Sequence, residues 1–212
     1  MEKNEMTSIF NQDNTAWQTG RYPLVLGEPL GLYDSVNVPY PKLFDLYKLQ
    51  KSMDWTEDEV NLEQSRMDLI NCSKNNYDIM VKTLAFQWEL DSVASRAIAP
   101  LFAPFVTNSE LWVMLSKQSE IENLHALTYS EIIRQCLSDP KEVFEAVMKN
   151  DEVLNRSTTV IEAFDKLSEF GALYKLGKID KNDLELKQVV LRSFVALYCL
   201  EKVEFMSSFA CT

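Results

Sequence analysis

Histidine is almost absent from this chain: His125 is the only one in 212 residues. Glycine is scarce too, with five, three of which (Gly20, Gly27, Gly31) fall before residue 42. Four of the seven prolines (Pro23, Pro29, Pro39, Pro41) share that stretch, which leaves proline-free runs over 42–99, 105–139 and 141–212. So few turn formers exclude a protein built of hairpins and predict long helices. No cluster of Lys or Arg stands out, and 32 acidic against 21 basic residues give a formal charge of −11, which argues against a nucleic-acid partner. The four cysteines (Cys72, Cys136, Cys199, Cys211) show no Cys-x-x-Cys spacing, and three lie in apolar helical runs. They read as reduced, buried thiols of a cytoplasmic protein. No basic-then-apolar leader opens the chain and no uncharged apolar run nears membrane-spanning length, so neither export nor a membrane partner is expected.

What is present is an all-α pattern behind an extended arm. Residues 1–41 alternate turn formers with apolar groups, as in Tyr22-Pro23-Leu24-Val25-Leu26, and form the expected arm; residues 42–212 form the expected helical domain. A helix opens near Pro41 and runs to about Met53 through Leu43, Leu46, Tyr47 and Leu49. Trp55 follows as the anchor of a turn, then an acidic stretch, Glu57-Asp58-Glu59. A long helix over about 73–98, capped by Ser73, has the seam Tyr77, Met80, Val81, Leu84, Trp88 and then Asp91. Pro100 and Pro104 bracket a break, and Thr107-Asn108-Ser109-Glu110 offers a capping box for a helix that ends before Pro140. A short helix over about 141–149 and an amphipathic one over 151–176 (Val153, Leu154, Val160, Ile161, Phe164, Leu167, Phe170, Leu173, Tyr174) come next, the latter stopped by Gly177. The last helix starts near Asn182-Asp183 and carries Leu186, Val190, Phe194, Leu197, Glu201, Phe205 and Phe209. Its apolar pattern is still running at Phe209-Ala210-Cys211-Thr212, without cap, basic last turn or polar tail, so the chain reads as cut.

The chemistry gathers around His125. The stripe Leu111, Leu115, Gln118, Glu122, His125, Tyr129, Ile132 advances by threes and fours, so Glu122, His125 and Tyr129 share one helix face. Asp91 and Glu201 are two more carboxylates on apolar seams, each on a different helix. Burying such groups costs several kcal/mol unless they are paired. A metal ion would pair them, as in helical bundles where single carboxylates and Glu-x-x-His motifs converge on two metals. Carboxylates and imidazole suit iron or manganese. Interhelical hydrogen bonding without any metal is the other reading of the same residues, and a second Glu-x-x-His is impossible in a chain with one histidine.

Four segments resemble, in order and spacing, the small radical-generating beta subunit of class I ribonucleotide reductase. They are Asp54-Trp55-Thr56-Glu57-Asp58-Glu59-Val60, then Leu90-Asp91-Ser92-Val93, then Ser119 to Arg134, then Leu200-Glu201 through Ser208-Phe209-Ala210-Cys211. The resemblance implies a ferritin-like di-metal helical bundle, incomplete at the C-terminal end, holding two iron ions or manganese. Asp91, Glu122 and His125 would ligate one metal, and Glu122 would bridge to a second held by Glu201. Tyr129 would become a stable radical in a pocket lined by Phe205 and Phe209. Trp55 would start the route to the large (alpha) subunit, where ribonucleotides are reduced.

Members of that family continue through a second Glu-x-x-His, an aspartate linking histidine to tryptophan, and a docking tail, and pair as homodimers. The expectation is therefore an amino-terminal part, inactive alone, that needs a C-terminal beta fragment. A split gene, an interrupted sequence or an inactive remnant would each explain it. A non-enzymatic helical interaction module and a radical-free ferritin-like oxidase are the alternatives.

Overall fold

The computed structural model describes residues 9–149 and 151–211, with backbone alone at 152–154. The start of the arm, the side chains of Val153 and Leu154, and Thr212 therefore lie outside the described residues. The order of helices is α1 (Ala16–Thr19), α2 (Pro41–Ser52), α3 (Glu63–Asn71), α4 (Lys74–Phe102), α5 (Ser109–Cys136), α6 (Lys141–Lys149), α7 (Asp151–Lys175), α8 (Leu184–Cys199) and α9 (Phe205–Phe209). The only β pairing among the described residues is an isolated bridge between Val25 and Val106. No helix among them is long and apolar enough to cross a membrane.

The chain divides into two compact units, one of residues 1–54, 96–119 and 163–194, the other of 55–95, 120–162 and 195–212. In the first, the arm is fastened by backbone bonds from Leu26 N–H to Phe105 O (2.7 Å) and Thr107 N–H to Leu24 O (3.1 Å). Its core holds Ile98, Phe102, Phe105, Leu115, Leu167 and Leu186, with Phe102 packed on Phe194 at 4.3 Å and Phe105 on Tyr174 at 5.7 Å between ring centroids. In the second, Val81, Ala85, Ile133, Leu137 and Val143 form one buried cluster, while Phe86, Leu90, Leu200 and Phe205 are also buried.

Several boundaries follow directly from residue chemistry. Pro41 opens α2. Ser73 Oγ accepts the Asn76 N–H at the start of α4. Gly177, at φ +65°, ends α7 with its N–H on Tyr174 O and the Lys178 N–H on Leu173 O, the paired bonds of a Schellman motif. Asp183 Oδ1 caps α8 by accepting the Leu186 N–H.

Other expectations are corrected. Helix α4 does not break at Pro100 but passes through it to Phe102; next to the proline, the Ala99 N–H is donated to Ser119 Oγ at 2.9 Å, so a side chain of α5 satisfies a backbone donor where the proline interrupts the helical ladder. Asn108, not Thr107, caps α5 by accepting the Leu111 N–H. Thr107 instead donates to Pro23 O, and Glu110 accepts from the Tyr40 N–H and Asn108 Nδ2. Helix α3 has no buried residue, so it presents no apolar stripe to read. The last helix is not continuous: a π turn over Leu200–Glu204 separates α8 from α9, with the Phe205 N–H on Leu200 O. Of the four cysteines, all free, only Cys136 is buried and Cys211 is exposed.

Candidate metal centre

The centre lies within the second unit, on α4, α5 and the π turn. On α4 the apolar residue Leu84 is driven inward, and Asp91, seven residues on and so on the same face, is carried in with it and left 3% exposed. On α5 the three- and four-residue spacing points Glu122, His125 and Tyr129 the same way. Glu122 is buried, but the His125 side chain is 38% exposed, so the imidazole sits at the rim of the centre rather than on a fully buried seam.

Asp91, Glu122 and His125 converge: one donor atom from each lies within 4.8 Å of the others. His125 Nδ1 is 3.3 Å from Glu122 Oε2 and 3.7 Å from Asp91 Oδ2. Burial raises the Asp91 pKa well above the carboxylate range, and the charges of Glu122 and Glu201 and a hydrogen bond with Glu122 raise it further. Two carboxylates this close cannot both ionise in a desolvated site unless a proton or a cation stands between them. The donor set of two carboxylates and one imidazole suits a divalent transition metal in place of that proton.

Glu201, carried by the π turn and half-buried, acts on Asp91 through its charge but stands outside the tight group of three. Tyr129 is half-buried, and its phenol is held protonated by burial and then by the charges of Asp91 and Glu122. Trp55 stacks over His125, with 6.2 Å between ring centroids and 28° between planes. Phe205 is buried, against Phe86 at 6.3 Å and Phe209 at 5.7 Å. Phe209 is half-exposed.

Sequence reasoning missed Lys117, which is buried and paired with Asp54. The signal was present: Lys117 falls on the same face as Val113, Met114, Ile121 and Leu124, a charge among apolar neighbours like Asp91. It also missed Gln87, 2% exposed, whose amide donates to Ser208 Oγ at 3.4 Å.

The family model described as ribonucleotide reductase, small chain, matches residues 33–212. The beta subunit of ribonucleoside-diphosphate reductase from Buchnera aphidicola (subsp. Baizongia pistaciae) is 29% identical over 203 residues, covering 88% of this chain and 54% of the relative. The corresponding subunit of Haemophilus influenzae is 28% identical over 203 residues, with the same coverage of 88% and 54%. Among solved structures, the ribonucleotide reductase R2 subunit from Clostridium botulinum superposes with a TM-score of 0.80 at 19% identity, over 98% of this chain and 60% of that one. The chain thus spans about half the length of the curated relatives it matches, and its all-α, ferritin-like fold is the one expected. With the family model covering most of its residues, the chain belongs to the ribonucleotide reductase small-chain family.

Proposed function

We propose that this chain is the amino-terminal part of a ribonucleoside-diphosphate reductase beta subunit, which stores an oxidising equivalent on Tyr129 and passes it through Trp55 to a large subunit that reduces ribonucleotides to deoxyribonucleotides. The observation that carries this reading is the convergence of Asp91, Glu122 and His125 within 4.8 Å, one helical turn before Tyr129. In this reading Asp91, Glu122 and His125 hold one metal, and Glu122 and Glu201 hold a second. Two iron ions, or manganese in their place, would supply the oxidising power through their reaction with dioxygen.

The chain's own residues do the rest. Asp91 gives up its proton when a cation arrives, because the cation's charge offsets the burial and the carboxylate repulsion that hold the proton there. Tyr129, one turn of α5 beyond His125, would give its electron to the oxidised metals and its phenol proton to the carboxylates of the centre, whose charges act on it, and the buried ring of Phe205 supports an apolar surrounding that shields the resulting radical. The indole of Trp55, stacked on His125, forms the outward step.

Three partners belong to the reading: a large subunit, a second copy of the finished beta subunit, and a polypeptide that supplies the half of the relatives' length not matched here. The outward face of the second unit supports the last. Val195, Tyr198, Val203, Met206 and Phe209 are all exposed there, while Leu197, Leu200 and Phe205 are buried on the inward face. Exposed apolar residues gathered in this way mark a surface built to be covered.

The test is to mix this chain with a polypeptide corresponding to the carboxy-terminal half of its relatives, iron(II) and oxygen. Electron paramagnetic resonance should detect a tyrosyl radical that is lost in Tyr129→Phe. A complex that forms and takes up iron yet never shows the radical would leave the ferritin-like oxidase reading standing instead.

A further inference from the structure

Lys117 is a buried charge that the metal centre does not use. Its side chain is 6% exposed, and its ammonium lies 2.5 Å from a carboxylate oxygen of Asp54, which is itself 49% exposed. An ion pair of this kind adds little net stability, because the cost of desolvating the ammonium offsets the attraction; its value lies in fixing one geometry. The geometry in question is that of the next residue. Residues 54–56 lie outside any helix, after α2 ends at Ser52 and before a 3-10 turn over Glu57–Glu59. No helical ladder therefore sets the direction of Trp55.

Two clamps flank that residue. After it, a capping box joins Thr56 and Glu59, with the Thr56 N–H on Glu59 Oε1 at 3.0 Å. Before it, Asp54 is held by Lys117. Lys117 and His125 are on one helix, eight residues and so about 12 Å apart along its axis. Helix α5 thus carries both the anchor for Asp54 and the imidazole on which the Trp55 ring stacks.

We propose that Lys117 is a positioning residue, which holds Asp54 and thereby presents the Trp55 indole to His125. The role this serves, outward electron transfer through Trp55, rests on the function proposed above; the geometry does not.

His125 is the sole histidine, so the metal-free chain gives one imidazole Hε1 resonance in proton NMR, and a stacked indole moves it upfield. The difference between the native chain and Trp55→Leu at fixed pH defines the contribution of the stack. Lys117→Met, which removes the charge while filling similar volume, should lose most of that contribution, and Lys117→Arg should retain it. Asp54→Asn should match Lys117→Met, and it decides the matter alone if circular dichroism shows that Lys117→Met does not fold. A native resonance position in Lys117→Met or, in that event, in Asp54→Asn overturns the proposal. Failure of the electron-transfer reading looks different: the resonance behaves as expected, while Trp55→Phe leaves nucleotide reduction by the complemented enzyme unchanged.

Discussion

Asp91 and Glu122 are a buried carboxylate pair on neighbouring faces of α4 and α5, and burial first, then the charges of Glu122 and Glu201, give the centre its pH behaviour. The folded-state pKa of Asp91 is raised, so its contribution to stability is fully present below the ordinary carboxylate pKa and is lost as pH rises toward the raised value. The metal-free chain should therefore unfold at lower urea concentration at pH 8 than at pH 5. Saturating manganese(II) or the substitution Asp91→Asn should flatten that dependence, because each removes the need for the proton. Calorimetric titration of the metal in buffers of differing ionisation enthalpy should in addition register proton release, and Asp91→Asn should abolish it. Glu122→Gln and His125→Ala should each weaken metal affinity on the order of 10-fold or more while far-UV circular dichroism stays unchanged. Asp91 was legible in the sequence because a carboxylate interrupts an apolar seam. The half-exposure of His125 was not, since the spacing of one helix says which way a ring points and not what covers it.

At the scale of elements, the π turn and the arm each support a test. An α-helical continuation would place Leu197, Glu201 and Phe205 on one stripe; the π turn inserts a residue, and Phe205 is buried while Glu201 is half-buried beside the centre. Deleting the exposed Lys202 should restore an α-helical register, keep the helix content and weaken binding of a second metal equivalent by direct titration. The sequence pattern could not reveal the turn, because Leu197, Glu201 and Phe205 keep a four-residue spacing that reads as one continuous helical stripe; only the hydrogen bond from the Phe205 N–H to Leu200 O distinguishes it. Pro100 misled in the other direction, as the Ser119 hydroxyl that takes the Ala99 N–H comes from 20 residues away.

In the arm, Asp34 accepts from the Val36 and Asn37 N–H groups, the Asn37 side chain and the Tyr22 hydroxyl. Partial burial pushes the Asp34 carboxyl up, but these bonds outweigh it and hold the pKa at about 2. The stability it lends is present above the ordinary carboxylate pKa and is lost as pH falls toward 2. Asp34→Ala should cost about 1–2 kcal/mol in urea melts at pH 7, and the loss should shrink below pH 3.

For the whole molecule, the telling feature is the mismatch between an inward and an outward apolar face on the last helices. The sequence showed the apolar run over 186–209 but could not apportion it, because periodicity alone does not separate a helix buried on one side from one meant to be buried on both. Among the described residues, Tyr198, Val203 and Met206 face solvent at 65%, 61% and 56%. A surface of that character binds apolar dyes and associates with itself unless a partner covers it. The isolated chain should therefore enhance 8-anilinonaphthalene-1-sulfonate fluorescence and sediment as a concentration-dependent oligomer. A polypeptide equivalent to the remaining half of its relatives should suppress both effects in a one-to-one complex. Tyr198→Glu with Met206→Glu should weaken that complex at least 10-fold. The same pair should leave the first metal equivalent bound with native affinity, because neither residue is among the three whose donor atoms converge. Loss of metal binding in the double variant would mean instead that the outward face supports the centre itself, and covering it would then be part of building the site rather than of completing it.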